Sequence, residues 1–117
     1  MKYASGVPSG AGLEIVETPA FARSCRGVLT EEEVAEIKQD LALRPNAGVP
    51  VSEGGGVRKL KCAASGRGKR GGARVMYVYF ADRRRIYLLF AFKKSQQEDL
   101  ARDQLHALAK VAKELKR

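Results

Sequence analysis

The chain has 117 residues, with 22 Lys and Arg against 13 Asp and Glu, for a formal net charge of +9. This length fits one compact domain, and a composition of 44% hydrophobic and 30% charged residues excludes a disordered chain. The longest uncharged apolar run, residues 86–92, is too short to cross a membrane. Two cysteines are too few for a disulfide scaffold or a zinc site. We therefore expect a cytoplasmic protein with reduced thiols and no membrane contact.

The N-terminal residues divide into an arm and the start of a folded domain. Residues 1–12 are rich in Gly, Ser and Pro and are interpreted as a flexible arm or an expression remnant, with a single domain over residues 13–117. The pattern of residues 13–18 predicts a short strand with one buried face. Pro19 then favours a short helix, because proline is tolerated in a first helical turn.

A second helix is predicted from its N-terminal cap. Thr30 followed by Glu33 forms a capping box, in which the two side chains satisfy the first backbone N–H groups of a helix. Apolar residues recur behind it at helical spacing until Pro45, which ends the pattern. Residues 46–56 are predicted to be a Gly- and Pro-rich loop.

Three strands follow, over residues 57–63, 73–80 and 85–92. A glycine-rich basic loop, residues 64–72, joins the first two, and a turn over residues 81–84 joins the last two. Because such short connections join antiparallel neighbours, the three strands are predicted to form a meander.

The chain is predicted to close with a helix that reaches about Leu115. Ser95 and Glu98 have the spacing of a capping box at its start, and its apolar residues form one stripe. The resulting order β-α-α-β-β-β-α predicts a small α+β fold in which helices pack on an antiparallel sheet.

The positive charge is concentrated in one third of the chain. Residues 56–94 contain twelve Lys or Arg and one acidic residue, Asp82. Such a basic segment within near-neutral sequence predicts contact with a polyanion, and nucleic acid is the most common one. Lys59 and Lys61 alternate onto one face of their strand, where they repel each other unless an anion lies near them. Surface lysines on an edge strand also protect against aggregation, which is the alternative interpretation.

The residue types that are missing narrow the possible chemistry. His106, the only histidine, lies in the last helix, and the basic segment has no carboxylate pair or cluster of metal ligands. This excludes a two-histidine ribonuclease site and argues against metal-dependent cleavage, so we predict no metal and no cofactor. An enzyme acting on phosphate would here use Lys and Arg to stabilise the charge of the transition state, and a lysine to move a proton.

Three motifs together resemble a known family. They are GGVRKLK at residues 55–61, GRGKRGGARVMY at residues 66–77 and IYLL at residues 86–89. This sequence resembles the RelE/HigB superfamily of type II toxin–antitoxin toxins, and within it the HigB-like branch, from about residue 14 to about residue 111. The resemblance implies the fold derived above.

The resemblance also implies an activity. Toxins of this kind are metal-independent endoribonucleases that enter the ribosomal A site, held by ribosomal RNA, and cut the mRNA codon there. The ribose 2′-OH attacks the adjacent phosphate, leaving a cyclic phosphate and a 5′-OH. A cognate antitoxin, often with a helix-turn-helix DNA-binding domain, is the expected partner.

The resemblance assigns residues by position. Lys59 and Lys61 match the lysine pair that serves as base and charge stabiliser, and Arg74 matches the arginine that contacts the scissile phosphate. The remaining residues expected to contact RNA are Arg58, Arg67, Lys69, Arg70, Tyr79, Lys93 and Lys94. RelE-type toxins have a further arginine and a tyrosine near the C-terminus. Here Lys93 and Lys94 lie about where the arginine would be, and no tyrosine follows Tyr87. The general acid that protonates the leaving 5′-oxygen therefore stays unassigned.

Two alternatives remain at this point. One is a toxin of the same fold, similar to ParE, that inhibits DNA gyrase without cutting RNA. The other is a catalytically degenerate RNA-binding toxin, which the missing C-terminal tyrosine favours. The nuclease interpretation requires that the cations of adjoining strands meet on one open surface and are not capped by the protein's own carboxylates.

Overall fold

A computed structural model describes residues 12–62 and 72–117. The predicted loop residues Arg67, Lys69 and Arg70 and most of the predicted N-terminal arm lie outside these ranges. The elements in chain order are β1 (Glu14–Glu17), α1 (Pro19–Cys25), α2 (Glu31–Leu43), β2 (Val49–Pro50), β3 (Val57–Cys62), β4 (Ala73–Phe80), a 3₁₀ turn (Ala81–Arg83), β5 (Arg85–Lys93) and α3 (Arg102–Lys116).

The strands form one five-stranded sheet in the order β1-β5-β4-β3-β2. Strands β3, β4 and β5 form the predicted antiparallel meander, and the α+β class is confirmed. The sheet is mixed rather than wholly antiparallel, because β1 pairs with β5 in parallel, with Glu14 opposite Arg85. This pairing joins residues that are 71 positions apart in the sequence, and no local connection in the chain specifies it.

Both faces of the sheet are covered by helices. Helices α1 and α2 cover one face, where Phe21 and Leu41 pack with Val75 and Tyr77 of β4. Helix α3 covers part of the other face through residues that include Leu108. The central strands are therefore buried on both faces, which explains the nearly continuous apolar sequence of β4 and β5.

Residue spacing predicted the N-terminal cap of α2 correctly but not that of α3. The Thr30 capping box is confirmed: Glu33 N–H donates to Thr30 Oγ1 at 3.0 Å, and Thr30 N–H donates to Glu33 Oε1 at 2.9 Å. The capping box predicted at Ser95 is wrong. There the chain folds into a turn on the carbonyl of Lys93, and α3 begins only at Arg102.

The segment between α2 and β3 is more ordered than a loop. Val49 and Pro50, predicted to be loop residues, form the short strand β2 against β3. Below them, the buried Tyr77 hydroxyl donates to the carbonyl of Pro45 and accepts from the N–H of Gly48, each at 2.8 Å. Burial raises the pKa of this phenol, so it stays protonated and able to donate. Tyr77 thus holds the outer edge of the sheet in place.

We expect Tyr77→Phe to destabilise the fold by about 1–3 kcal/mol, because two buried backbone groups lose their partner. Urea unfolding measures the change. Tyr79→Phe is the matched control on the same strand, because Tyr79 is half-buried and its hydroxyl has no hydrogen bond to the described residues. A similar free energy of unfolding for the two variants would contradict this role of Tyr77.

Candidate active site

Three cationic side chains from adjoining strands share one face of the sheet. In the β3–β4 register, Lys61 lies directly opposite Arg74, and Lys59 lies opposite Met76. Directly opposed residues project to the same face, and Met76 is part of the core under α3. Lys59, Lys61 and Arg74, called the basic cluster below, therefore lie on the α3 side of the sheet, at the end that the helix leaves uncovered.

The Lys61–Arg74 pair is electrostatically unfavourable in isolation. Like charges directly opposite each other on an antiparallel pair destabilise it, and their Cα atoms lie only about 5 Å apart in such a ladder. Among the residues that the structure describes, neither cation forms an ion pair; the Arg74 guanidinium donates only to the Ala73 carbonyl, at 3.2 Å. Lys61 is exposed and Arg74 is half-buried. The arrangement is suited to an anion that both can contact.

Lys59, in contrast, has a carboxylate partner. Its ammonium lies 3.2 Å from both oxygens of Asp99, in the segment that connects β5 to α3. The N–H of Leu100 donates to Asp99 at 2.8 Å. This hydrogen bond, followed by the hydrogen bond and charge of Lys59 and the charge of Arg74, lowers the pKa of Asp99 below its ordinary value. The carboxylate is therefore ionised at neutral pH.

The acid does not neutralise the basic cluster. One carboxylate stands against three cations, so the cluster and Asp99 together carry a net positive charge of two. The Asp99 side chain is 62% exposed, and at such an exposure water screens the ion pair strongly. Lys61 and Arg74 have no carboxylate partner within the described parts of the chain, whereas Lys59 is capped by Asp99, contrary to what the nuclease interpretation requires.

Three residues predicted to contact RNA lie on the opposite face. The Arg58 guanidinium donates to the carbonyls of Gly48, at 2.6 Å, and Asn46, at 3.3 Å. Tyr79 packs against the core under α1 and α2. Lys93 pairs with Ala73, the residue before Arg74, so its side chain projects to the face opposite that of Arg74. The structure does not bring these side chains to the basic cluster.

Lys94 is placed differently. It is exposed and follows β5 directly, and its N–H donates to the carbonyl of Gly72 at 3.2 Å. Gly72 lies two residues before Arg74. Lys94 is therefore at the end of the sheet where β4 begins.

A comparison with known protein families identifies the chain. The family described as the RelE toxin of the RelE/RelB toxin–antitoxin system matches residues 14–117. The chain belongs to the RelE toxin family. RelE toxins act with an antitoxin partner, generally inhibit translation, and are generally endoribonucleases that cleave mRNA.

In this RelE-family toxin, Asp99 is the site residue that sequence reasoning missed. The spacing of Ser95 and Glu98 predicts a helix that has already begun at Asp99, and acidic residues are common in a first helical turn. The available signal was the pair of acidic residues at 98 and 99, which follows Lys94 after three intervening residues, just beyond the strand predicted to neighbour that of Arg74. Only the late start of α3 lets Asp99 reach across to β3.

Other features of the RelE-family toxin lie away from the basic cluster. A groove of about 510 Å³ lies between α1 and α2 and includes the Lys38–Glu17 ion pair at 2.7 Å. Within residues 12–62 and 72–117, no three His, Cys, Asp or Glu side chains are grouped so that they could hold a metal ion. No helix in those ranges is long and apolar enough to span a bilayer.

We expect Lys59→Met to raise the pKa of Asp99 only part of the way to its ordinary value, because the larger contribution, the Leu100 N–H bond, remains. Carboxyl ¹³C chemical shifts followed through a pH titration measure it. Arg85→Met is the control, since Arg85 pairs with Glu14, at the far edge of the sheet. A pKa of Asp99 that is the same in Lys59→Met and in the wild-type protein would rule out the ion pair.

Proposed function

We propose that this RelE-family toxin is a metal-independent endoribonuclease that cuts mRNA in the ribosomal A site. The observation that carries the proposal is the opposition of Lys61 and Arg74 on the open sheet face, with Lys59 beside them. Their mutual repulsion is relieved when both contact one anionic group, and a phosphodiester offers two non-bridging oxygens for this purpose. Acting on ribosomes, the toxin would work in the cytoplasm, with a helix-turn-helix antitoxin of the HigB-type system as its partner.

In the proposed reaction, Lys61 and Arg74 bind the non-bridging oxygens of the scissile phosphate. Negative charge grows on these oxygens as the ribose 2′-oxygen attacks phosphorus, so fixed cations stabilise the transition state more than the ground state. The bond from phosphorus to the 5′-oxygen then breaks. The products are a 2′,3′-cyclic phosphate and a free 5′-OH.

The 2′-OH proton needs an acceptor, and we assign Asp99 to this role. The paired Lys59 ammonium has no lone pair to accept a proton, whereas the Asp99 carboxylate, 3.2 Å away, is ionised and exposed. Lys59 then orients Asp99 and shares the developing charge. The departing 5′-oxygen takes a proton from a lysine on the other side of the phosphate, and we assign Lys94, since Lys93 projects to the opposite face.

Arg74→Ala, and separately a Lys59→Ala/Lys61→Ala double variant, should relieve the growth arrest caused by toxin expression. Loss of a fixed charge at the phosphate lowers the cleavage rate about 100-fold or more. Mapping of mRNA 5′ ends, which should cluster in frame within codons, measures cleavage. The exposed Arg23 on α1 supplies the control Arg23→Ala, which should stay fully toxic.

Undiminished toxicity of both site variants would refute the assignment. Inhibition of DNA gyrase by the purified protein without ribosomes would favour the ParE-like alternative. Intact mRNA with ribosome binding retained would identify a degenerate toxin.

Asp99→Asn should separate binding from chemistry. Removing the carboxylate strengthens RNA binding, because the cluster gains one unit of positive charge, and it lowers single-turnover cleavage about 100-fold, because the proton acceptor is lost. Glu98→Gln is the matched control: its neighbouring, exposed carboxylate forms no ion pair with the described residues. Faster cleavage by Asp99→Asn would mean that Asp99 only shields Lys59.

A further inference from the structure

Helix α3 carries a second positively charged surface that the proposed reaction does not use. Four cationic side chains and the imidazole of His106 step by four, four, three and four residues from the start of α3 to its C-cap, which keeps them within an arc of about 80° at 100° per residue. The members of this surface, called the α3 stripe, are Arg102, His106, Lys110, Lys113 and Arg117. All five are exposed, and the buried apolar stripe that includes Leu108 and Ala112 lies on a different side of the helix.

The stability of the helix accounts for only part of the α3 stripe: Lys113, in the last turn, is favoured by the helix dipole, but other members are not. Cations three or four residues apart, such as Lys110 and Lys113 or Lys113 and Arg117, repel each other. Arg102, at the first position of α3, also faces the positive end of the helix dipole. None of the three ion pairs formed by the described residues involves α3. An external anion would offset the repulsion between neighbouring cations of the stripe.

The α3 stripe continues from the candidate active site. Asp99, in contact with Lys59, lies three residues before Arg102, so the stripe begins beside the basic cluster and extends along the axis of α3. Fifteen helical residues span about 22 Å, at 1.5 Å each. Along one strand of a nucleic-acid helix, that length corresponds to about six phosphates.

We propose that the α3 stripe binds the sugar-phosphate backbone of RNA next to the candidate active site and so positions the RNA there. The inference rests on the proposed function for its choice of RNA as the polyanion. Backbone contacts of this kind carry no sequence information, so the stripe supplies affinity and orientation, while the basic cluster supplies chemistry. Binding through it also depends on salt, since each phosphate contact releases counterions.

The test uses the full chain and a 20-nucleotide, single-stranded 2′-O-methyl RNA, which lacks the attacking hydroxyl and cannot be cut. Binding is followed by fluorescence anisotropy between 50 and 300 mM KCl. A triple variant, Lys110→Gln/Lys113→Gln/Arg117→Gln, should bind roughly 10- to 100-fold more weakly at 0.1 M salt. The slope of log K against log[salt] should become shallower by about two, at roughly 0.7 per lost contact.

The matched control removes the same amount of charge from the other side of the sheet. It is the triple variant Arg23→Gln/Arg26→Gln/Arg44→Gln. These three arginines are also exposed and form no ion pair with the described residues. Circular dichroism verifies that both triple variants fold. The control should keep the wild-type slope. Equal losses in the two variants would show a general effect of net charge and overturn the proposal.

Two further outcomes are informative. If the stripe variant bound RNA as tightly as the wild-type protein, the proposal would also be overturned. If that variant in addition no longer copurified with its antitoxin, the stripe would be a protein interface instead. Arg74→Ala separates this inference from the proposed function, because it should lose cleavage while keeping most of its affinity for the 2′-O-methyl RNA. Loss of RNA binding in the stripe variant together with no cleavage by the wild-type protein would support the stripe and refute the nuclease.

Discussion

The register between β3 and β4 is the constraint on which the candidate site depends. It places Lys61 opposite Arg74, and it is fixed by apolar side chains on both faces rather than by the cations. Leu60 packs toward the core under α1 and α2, whereas Val57 is buried toward α3. A slip of one residue would exchange these faces and move both lysines away from Arg74. The repulsion between two cations is therefore held in place by hydrophobic burial.

Helix α3 links this register to the rest of the site. At its C-terminal end, Arg83 donates to the carbonyls of Leu115, at 2.7 Å, and Lys116, and its guanidinium lies 5.0 Å from the centre of the Phe80 ring. These contacts fasten the end of the helix to the turn between β4 and β5. The opposite end presents Asp99 to Lys59. One helix thus connects the turn at one end of the sheet to the basic cluster at the other.

Alternation along the strands was sufficient to predict which side chains share a face, because β3 and β4 are regular where the cluster lies. It could not predict partners that are distant in sequence. The parallel pairing of β1 with β5 and the reach of Asp99 to Lys59 both depend on three-dimensional packing. Arg58 illustrates a different limit: its charge was counted with the polyanion-binding residues, yet it donates to backbone carbonyls beside Tyr77. Charge alone does not distinguish a residue that binds a ligand from one that holds a loop.

The Lys59–Asp99 pair is compatible with RNA binding because of its exposure. Ion pairs with exposed partners contribute about 0–1 kcal/mol, and the Asp99 side chain is 62% exposed. Lys61 and Arg74 are two further cations without carboxylate partners among the described residues, and a phosphate can approach them without displacing the Lys59–Asp99 pair. Asp99 can therefore stay in the site, which the proposed role as proton acceptor requires. The same carboxylate reduces the repulsion among three neighbouring cations, which helps to keep β3 and β4 paired at this end of the sheet.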